Sequence, residues 1–418
     1  MSTATSPLSK QEYMLGPFEY WWACNYNLIF ERGYRLRDRY APNALDSWLN
    51  GIMSDDEARR KGLLDKPVSR TCSSDELVTT ALQDDDIDLC KGMDAQRVSD
   101  NGQVWIKRCS LKSPDDPPES VMELVINAMI KDENDPQNRF LPLLDHFVVH
   151  DETSWEFIDY NERFVCLVFP WVIPVDQHPW RIAAEAMDFV RQLLEGLSFL
   201  HRRRIAHRDI HRDNILMSPL PIFYAGVNPL RNINVTALMD DLIEKPYRDR
   251  IEVPASYWYI DLGLSSYFRE GSPHQVSWEG GVHKLPEVFG TTTPSVEERL
   301  NPPAVLYDPF VGDVWQLGTT LRIFFGKSIP SLNPLFRAMT DWDPSKRPTA
   351  DQCLADFHVR TDRLPRWQLL LPVRDASWMK KIPDPGWLFT LRLLILHYRE
   401  WFRLAKKAIR LGLPKPRS

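Results

Sequence analysis

Cysteine is scarce and scattered. The chain of 418 residues carries six, Cys24, Cys72, Cys90, Cys109, Cys166 and Cys353, with no C-x-x-C pair and no dense framework. A disulfide-stapled scaffold and a cysteine-bound metal cluster are therefore not expected, and a reducing, cytoplasmic setting fits better than secretion. The opening MSTATSPLSKQEYM lacks a basic start followed by an apolar run, so no secretory leader is expected and the sequon at Asn234 carries no weight. Long apolar runs are missing too. No uncharged stretch reaches about 18 residues, which argues against a membrane-spanning helix. With 51 basic and 57 acidic residues the net charge is -6, which gives no reason to expect a nucleic-acid partner.

What is present reads as globular. Hydrophobic residues make up 43% and charged residues 26%, enough to bury a core. Residues 13 to 50 hold Tyr13, Phe18, Tyr20, Trp21, Trp22, Tyr26 and Trp48 among arginines, which reads as a packed extension. From Gly51 to about Asp88 the chain is polar and acidic, as in a linker or solvated face. Next, QVWIKRC alternates like a strand, PESVMELVINAMI has helical spacing, and RFVCLVFPWV reads as a buried strand closed by Pro170. A long helix follows in AAEAMDFVRQLLEGLSFLH, with Phe189, Leu193, Leu197 and Leu200 on one face. Residues 218–256 read as a proline-rich insertion with one short helix, and residues 291–306 as a loop.

The chemistry centres on His207-Arg208-Asp209-Ile-His-Arg-Asp213-Asn214, between the long helix and the apolar Ile215-Leu216. Phosphoryl transfer to a hydroxyl needs a carboxylate to take or orient the hydroxyl proton, and an oxygen on the same loop to hold a divalent cation. Asp209 and Asn214 have that spacing, although an Arg-Asp pair is also what an exposed surface makes. The octamer resembles the catalytic loop of eukaryotic protein kinases, H-R-D-x-x-x-x-N. Asp261-Leu262-Gly263, at the end of an apolar strand, resembles the family's metal-binding D-F-G with Leu in place of Phe. Lys107 ends the strand QVWIK where the family places the lysine that contacts the α and β phosphates, and Glu123 follows at a distance suited to pairing with it. Leu285-Pro286-Glu287 stands for A-P-E. Asp313, in YDPFVGDVWQLG, is placed to anchor the loop backbone, and Arg347, in DPSKRPT, to pair with Glu287.

The resemblance, over residues 85 to 360, implies an α+β, bilobal kinase-like fold with a small β-rich N-lobe, a larger helical C-lobe and extensions at both ends. Residues 1–84 would be extension and linker, 85–172 the N-lobe, 173–365 the C-lobe with its insertion at 218–256, and 366–418 a tail. It implies ATP and Mg2+ as cofactors. Lys107, Asp209, Glu123 and Arg208 would act in catalysis, Asn214 and Asp261 would hold the metal, and Gly92, Phe169 and Trp171 would border the nucleotide. The substrate would be a protein, through Ser or Thr. The Tyr-Trp-Trp opening, GYRLRDRY, MDAQRVSDNGQVWIKR and YDPF also look like a group of kinase-like proteins from mushroom-forming fungi.

Two departures stand out. The family's G-x-G-x-x-G lid is reduced to Gly92, followed by Met93, Asp94 and Ala95, and an inward-pointing Asp94 would repel phosphate. Gly102 is expected in a hairpin turn with Asn101. His211 occupies the place of the usual Lys of Ser/Thr kinases, and resembles the loops of small-molecule kinases. Two alternatives therefore stay open: a pseudokinase or binding scaffold with little or no turnover, and a small-molecule kinase. Arg208 would either pack or pair with a phosphate on Ser265, Ser266, Tyr267, Ser272 or Ser277.

The tail WLFTLRLLILHYREWFRLAKKAIRLGL reads as one amphipathic helix, with Leu388, Leu391, Ile395, Tyr398, Phe402, Ala405 and Ile409 on one stripe. Arg392, Arg399, Arg403, Lys406 and Arg410 lie between them. The expected outcomes are a helix docked on the body with its arginines solvated, or contact through 386–412 with an anionic membrane surface or an acidic partner.

Overall fold

The computed structural model describes residues 15, 17–64, 92–111, 113, 116–131, 134–151, 154–155, 158–159, 162–178, 180–224, 247–290, 305–373 and 387–412. Asn234, the short helix expected inside 218–256, most of 291–306 and the acidic run 84–86 lie outside them. The fold is α+β with antiparallel sheets. Its described residues divide into two units, one within Met1–Val121 and Pro142–Trp171, the other within Met122–Leu141, Val172–Gly226 and Val235–Ser418.

The first unit is built on β1 (Tyr34–Arg35), β2 (Gly92–Arg97), β3 (Gln103–Ser110), β4 (Asp145–Asp151) and β5 (Glu162–Pro170), in the order β1-β2-β3-β5-β4. Every neighbouring pair is antiparallel. The β2–β3 turn uses Asn101 at φ 56° with Gly102, whose carbonyl accepts from Arg97 N at 2.9 Å, as the Asn-Gly pair predicts. Alternation in β3 buries Val104 and Ile106, and β5 is buried from Phe164 to Phe169, as a central strand should be.

Two short helices, α1 (Pro17–Cys24) and α2 (Tyr26–Glu31), precede the sheet. Trp21, Trp22, Ile29, Tyr34 and Tyr40 share one core with Met93, Val104, Ile106, Phe147 and Phe164 of the strands. Arg108 lies over the rings of Trp21 and Phe164, at 4.7 and 4.6 Å from their centroids. Buried Arg39 pairs with Glu19 at 2.9 Å, which also accepts from Tyr40 OH at 3.0 Å. A buried charge is tolerated only with such partners.

The polar stretch after Gly51 is folded at its start. Helix α3 (Asp46–Leu49) is followed by α4 (Asp55–Arg60), whose Ser54 cap accepts from Glu57 N at 3.2 Å. Trp48, Ala58, Leu63 and Leu64 close a small core there, and Trp48 Nε1 donates to Asp55 at 2.8 Å. Three apolar side chains in DEARRKGLLD join Leu45 and Trp48 in this core, which a reading by polarity overlooks.

The second unit is mainly helical. Its elements are α5 (Met122–Ile130), β6 (Ile173–Pro174), α6 (Ala183–Arg202), β7 (Ile205–Ala206), β8 (Ile215–Met217), β9 (Tyr257–Tyr259), β10 (Ser266–Tyr267), α7 (Pro286–Phe289), α8 (Pro309–Phe325), α9 (Asn333–Met339), α10 (Ala350–Asp362) and α11 (Trp387–Leu411). Helix α6 buries Phe189, Leu193, Leu197 and Leu200, and Glu185 caps its start by accepting from Arg181 N at 2.8 Å. Helix α8 starts at Pro309, with Asp308 accepting from Phe310 N at 2.9 Å.

Helix α11 docks on this unit, but not with all its arginines in water. Leu404 and Ala408 are buried, and Trp401 Nε1 donates to Leu370 O at 2.8 Å. Arg403 and Lys407 reach the buried Asp249 at 2.8 and 2.7 Å, and Lys407 also meets Glu252 at 2.7 Å. These pairs help set the rotation of the helix. Ile395, Phe402 and Ile409 consequently face outward, and no helix among the described residues is long and apolar enough to cross a membrane.

Candidate active site

The loop between β7 and β8 is held by two side chains of α8. Fully buried Asp313 accepts from His207 N and Arg208 N, each at 2.7 Å, and meets His201 Nε2 at 2.9 Å. One turn on, Gln316 donates to Arg208 O and accepts from Ile210 N, both at 2.9 Å. Sequence reasoning assigned Gln316 no role. Its signal was the three-residue spacing from Asp313, which puts both on one face of the helix.

So anchored, Arg208 takes φ 71°, a left-handed conformation that costs energy for a residue other than glycine. Its guanidinium donates to Ser277 O at 2.7 Å and Ser266 Oγ at 3.0 Å, and pairs with Glu279 at 3.3 Å. Two of the serines considered as phosphate bearers thus lie against it, and a carboxylate is already there.

Asp209 is aimed from three sides. Its Oδ1 accepts from Val282 N at 3.0 Å, and its Oδ2 accepts from Asn214 Nδ2 at 3.1 Å and lies 3.5 Å from His211 Nε2. Gly281, which sequence reasoning also missed, permits the first of these. At φ 113° it brings Val282 in so closely that a Cβ on it would lie 3.2 Å from Arg208 O and 3.3 Å from Asp209 Oδ1. Burial would raise the carboxyl pKa of Asp209, but His211 and the Val282 N–H hold it below its ordinary value.

His211 itself lies between two carboxylates, its Nδ1 being 3.7 Å from Asp213 Oδ2. Burial works against its charge, yet Asp209 and Asp213 outweigh it and push the imidazole up to about 9. It is a cation at neutral pH.

Ile260 N donates to Asn214 O at 3.0 Å, which brings the end of β9 beside the loop. Asp261 follows at φ 64°, with Oδ1 accepting from Gly263 N at 3.2 Å. Glu123, buried on α5, has Oε2 3.9 Å from the point where a Cβ on Gly263 would stand. Glu287 and Arg347 meet in a bidentate pair at 2.9 and 2.8 Å, with Arg347 4.7 Å from the ring centroid of Trp315.

In the other unit, Lys107 lies in register between Gly92 of β2 and Leu167 of β5. Gly92, Met93, Asp94 and Ala95 are strand residues here. A Cβ on Gly92 would come within 2.4 Å of the Trp105 indole, so packing against that ring demands the glycine. The Asp94 charge is met by Arg37, whose Nε donates at 3.0 Å, which removes the repulsion expected of an unpaired carboxylate. Phe169 is paired with Trp105 across β3 and β5, and Trp171 has its ring centroid 5.9 Å from that of Trp105.

No family model matches the chain. Its relatives include the serine/threonine-protein kinase MAK of Homo sapiens, 29% identical over 191 residues, 40% of this chain and 28% of that protein. The serine/threonine-protein kinase STE20 of Eremothecium gossypii is 29% identical over 296 residues, 69% of this chain and 27% of that protein. The mitogen-activated protein kinase kinase kinase MST11 of Pyricularia oryzae is 28% identical over 180 residues, 40% of this chain and 17% of that protein. These relatives are serine/threonine-protein kinases, which supports a likeness to the eukaryotic protein kinase superfamily, and the chain spans under a third of the length of each.

The departure from the kinase motif pattern lies at the sheet edge. β1 pairs with β2, yet 56 residues, 36 to 91, separate them, and α3 and α4 lie in this connection. Seen from the chain, that is where a glycine-rich lid ahead of the lysine strand would belong.

Proposed function

We propose that the protein is a protein kinase, with a small β-rich lobe and a larger helical lobe, that transfers the γ-phosphoryl group of ATP to a Ser or Thr hydroxyl of a protein. The observation that carries this reading is Asp209, a carboxylate kept ionised and oriented by Val282 N, Asn214 and cationic His211. Such a group can accept the proton of an attacking hydroxyl as the new O–P bond forms.

The remaining residues fit ATP and Mg2+. Asn214 commits its amide nitrogen to Asp209, leaving its oxygen for a cation, and Asp261, which follows the residue bonded to the Asn214 backbone, is assigned the second metal ligand on the family pattern. One amide oxygen and one carboxylate suit Mg2+, which keeps waters and takes phosphate oxygens for its other positions. Bound there, the metal would neutralise charge on the phosphates. Lys107 and Glu123 are assigned to the α and β phosphates and to orienting that lysine, on the family pattern. Phe169 and Trp171 are assigned to the adenine side on the same basis. His211 restores beside Asp209 the positive charge that a Lys supplies in Ser/Thr kinases.

A second reading, a binding fold with little turnover, is favoured by the 56 residues between β1 and β2 in place of a glycine lid. His211 keeps the small-molecule kinase as a third. Calorimetry of MgATP with the parent, Asp261→Asn and Asp209→Asn, followed by radiolabelled phosphate transfer to casein, separates these readings. The kinase reading expects binding by the parent and weaker binding by Asp261→Asn. It expects Asp209→Asn to bind ATP with transfer down at least about a hundredfold. Binding without transfer by the parent makes it a binding protein, and transfer only to small-molecule hydroxyls favours the third reading.

A further inference from the structure

We propose that the outer face of α11 is a docking surface for an anionic lipid bilayer. The helix is fastened to the body by Trp401, Leu404 and Ala408 and by the pairs of Arg403 and Lys407 with Asp249. That attachment turns a row of large apolar side chains to solvent: Ile395 is 59% exposed, and Phe402 and Ile409 are each 63% exposed. At 3.6 residues per turn these positions fall on one line along the helix. Arg399, Lys406 and Arg410, also exposed, fall on the adjoining line.

An apolar row beside a basic row suits the boundary between headgroups and acyl chains. The apolar side chains enter it, while the long basic ones extend back to anionic headgroups. Charge supports this choice of surface. The chain carries -6 overall, but between Leu394 and Leu411 five basic residues face a single acidic one, Glu400. Two of the five are occupied by Asp249, and the other three lie on the outer face. An acidic protein would satisfy the basic row but gives no reason for Phe402 and Ile409 to stand in water beside it. The helix is not one that could cross the membrane, so it would lie on it, parallel to the surface.

Flotation of the full chain with phosphatidylcholine vesicles, with and without phosphatidylserine, tests this. The parent is expected to float with the phosphatidylserine vesicles and to be released by added salt. Phe402→Gln with Ile409→Gln, and Arg399→Gln with Lys406→Gln and Arg410→Gln, should each bind about tenfold or more weaker. The substituted side chains face solvent, so the heat-denaturation midpoint should stay that of the parent. A parent that does not bind phosphatidylserine vesicles at low salt overturns the proposal. So does a Phe402/Ile409 variant that binds as the parent does, since the exposed apolar row would then have no part in the contact. A basic-row variant that binds unchanged overturns the anionic character of the surface.

Discussion

The loop from Ile205 to Met217 and the sheet edge from Gly33 to Arg97 are built by opposite means. In the loop, directed polar contacts hold the chain: Asp313 and Gln316 take up the backbone of residues 207 to 210, and Asn214, His211 and Val282 aim one carboxylate. At the sheet edge, the aromatic rings of Trp21, Trp22, Tyr34 and Tyr40 fill space against strands whose partners lie some sixty positions away in sequence. A hydrogen-bond network accepts few residue types at few spacings, whereas packing accepts most side chains of suitable volume. The first therefore leaves a sharper trace in a sequence than the second.

The largest effect should come from the edge, where the trace is faintest. Trp22 is fully buried in the core shared with the strands, so Trp22→Ala should destabilise the protein by about 4 kcal/mol in denaturant titration. A loss below about 1 kcal/mol would mean that residues 17 to 31 are a dispensable appendage, and the comparison would collapse.

On the loop side, Asp313→Ala removes the acceptor for two buried amides and the partner of His201, and should cost about 3 kcal/mol. Hydrogen exchange adds a local readout. The amides of His207 and Arg208 should lose protection before those of β3 do, because only the former depend on the carboxylate. Unchanged protection at both would show that Arg208 keeps φ 71° without Asp313, against the polar-anchor account.

The parts legible in advance follow the same division. The closeness of Asp209 and Asn214 and the extent of α6 could be read from residue types at fixed spacing, and the Glu287–Arg347 contact from the kinase resemblance. Gln316 and Gly281 could not, since one acts through a spacing not looked for and the other through a backbone angle. The pairing of β1 with β2 was not legible either. Tyr34–Arg35 is two residues long, and nothing local ties it to Gln96 and Arg97 across the intervening chain. The folded stretch around α4 was hidden by its charges, and the rotation of α11 was set by Asp249, far from it in sequence.

The smallest effect makes the finest distinction, because Gly92 has two competing explanations. As the remnant of a phosphate-covering lid, it would be needed for close backbone approach to a ligand, and Gly92→Ala would weaken MgATP binding while leaving stability alone. The structure gives it a different neighbour, since an added Cβ would meet the Trp105 ring at 2.4 Å. Gly92→Ala should then destabilise the protein by about 2 kcal/mol through overpacking. The same substitution in a Trp105→Ala background decides between them. Without the ring the three atoms nearest the methyl group are gone, and replacing glycine in a strand restricts the unfolded chain, so the change should become stabilising by about 0.5 kcal/mol. A reversal of sign assigns Gly92 to packing, while a loss of nucleotide affinity that persists in both backgrounds returns it to the lid.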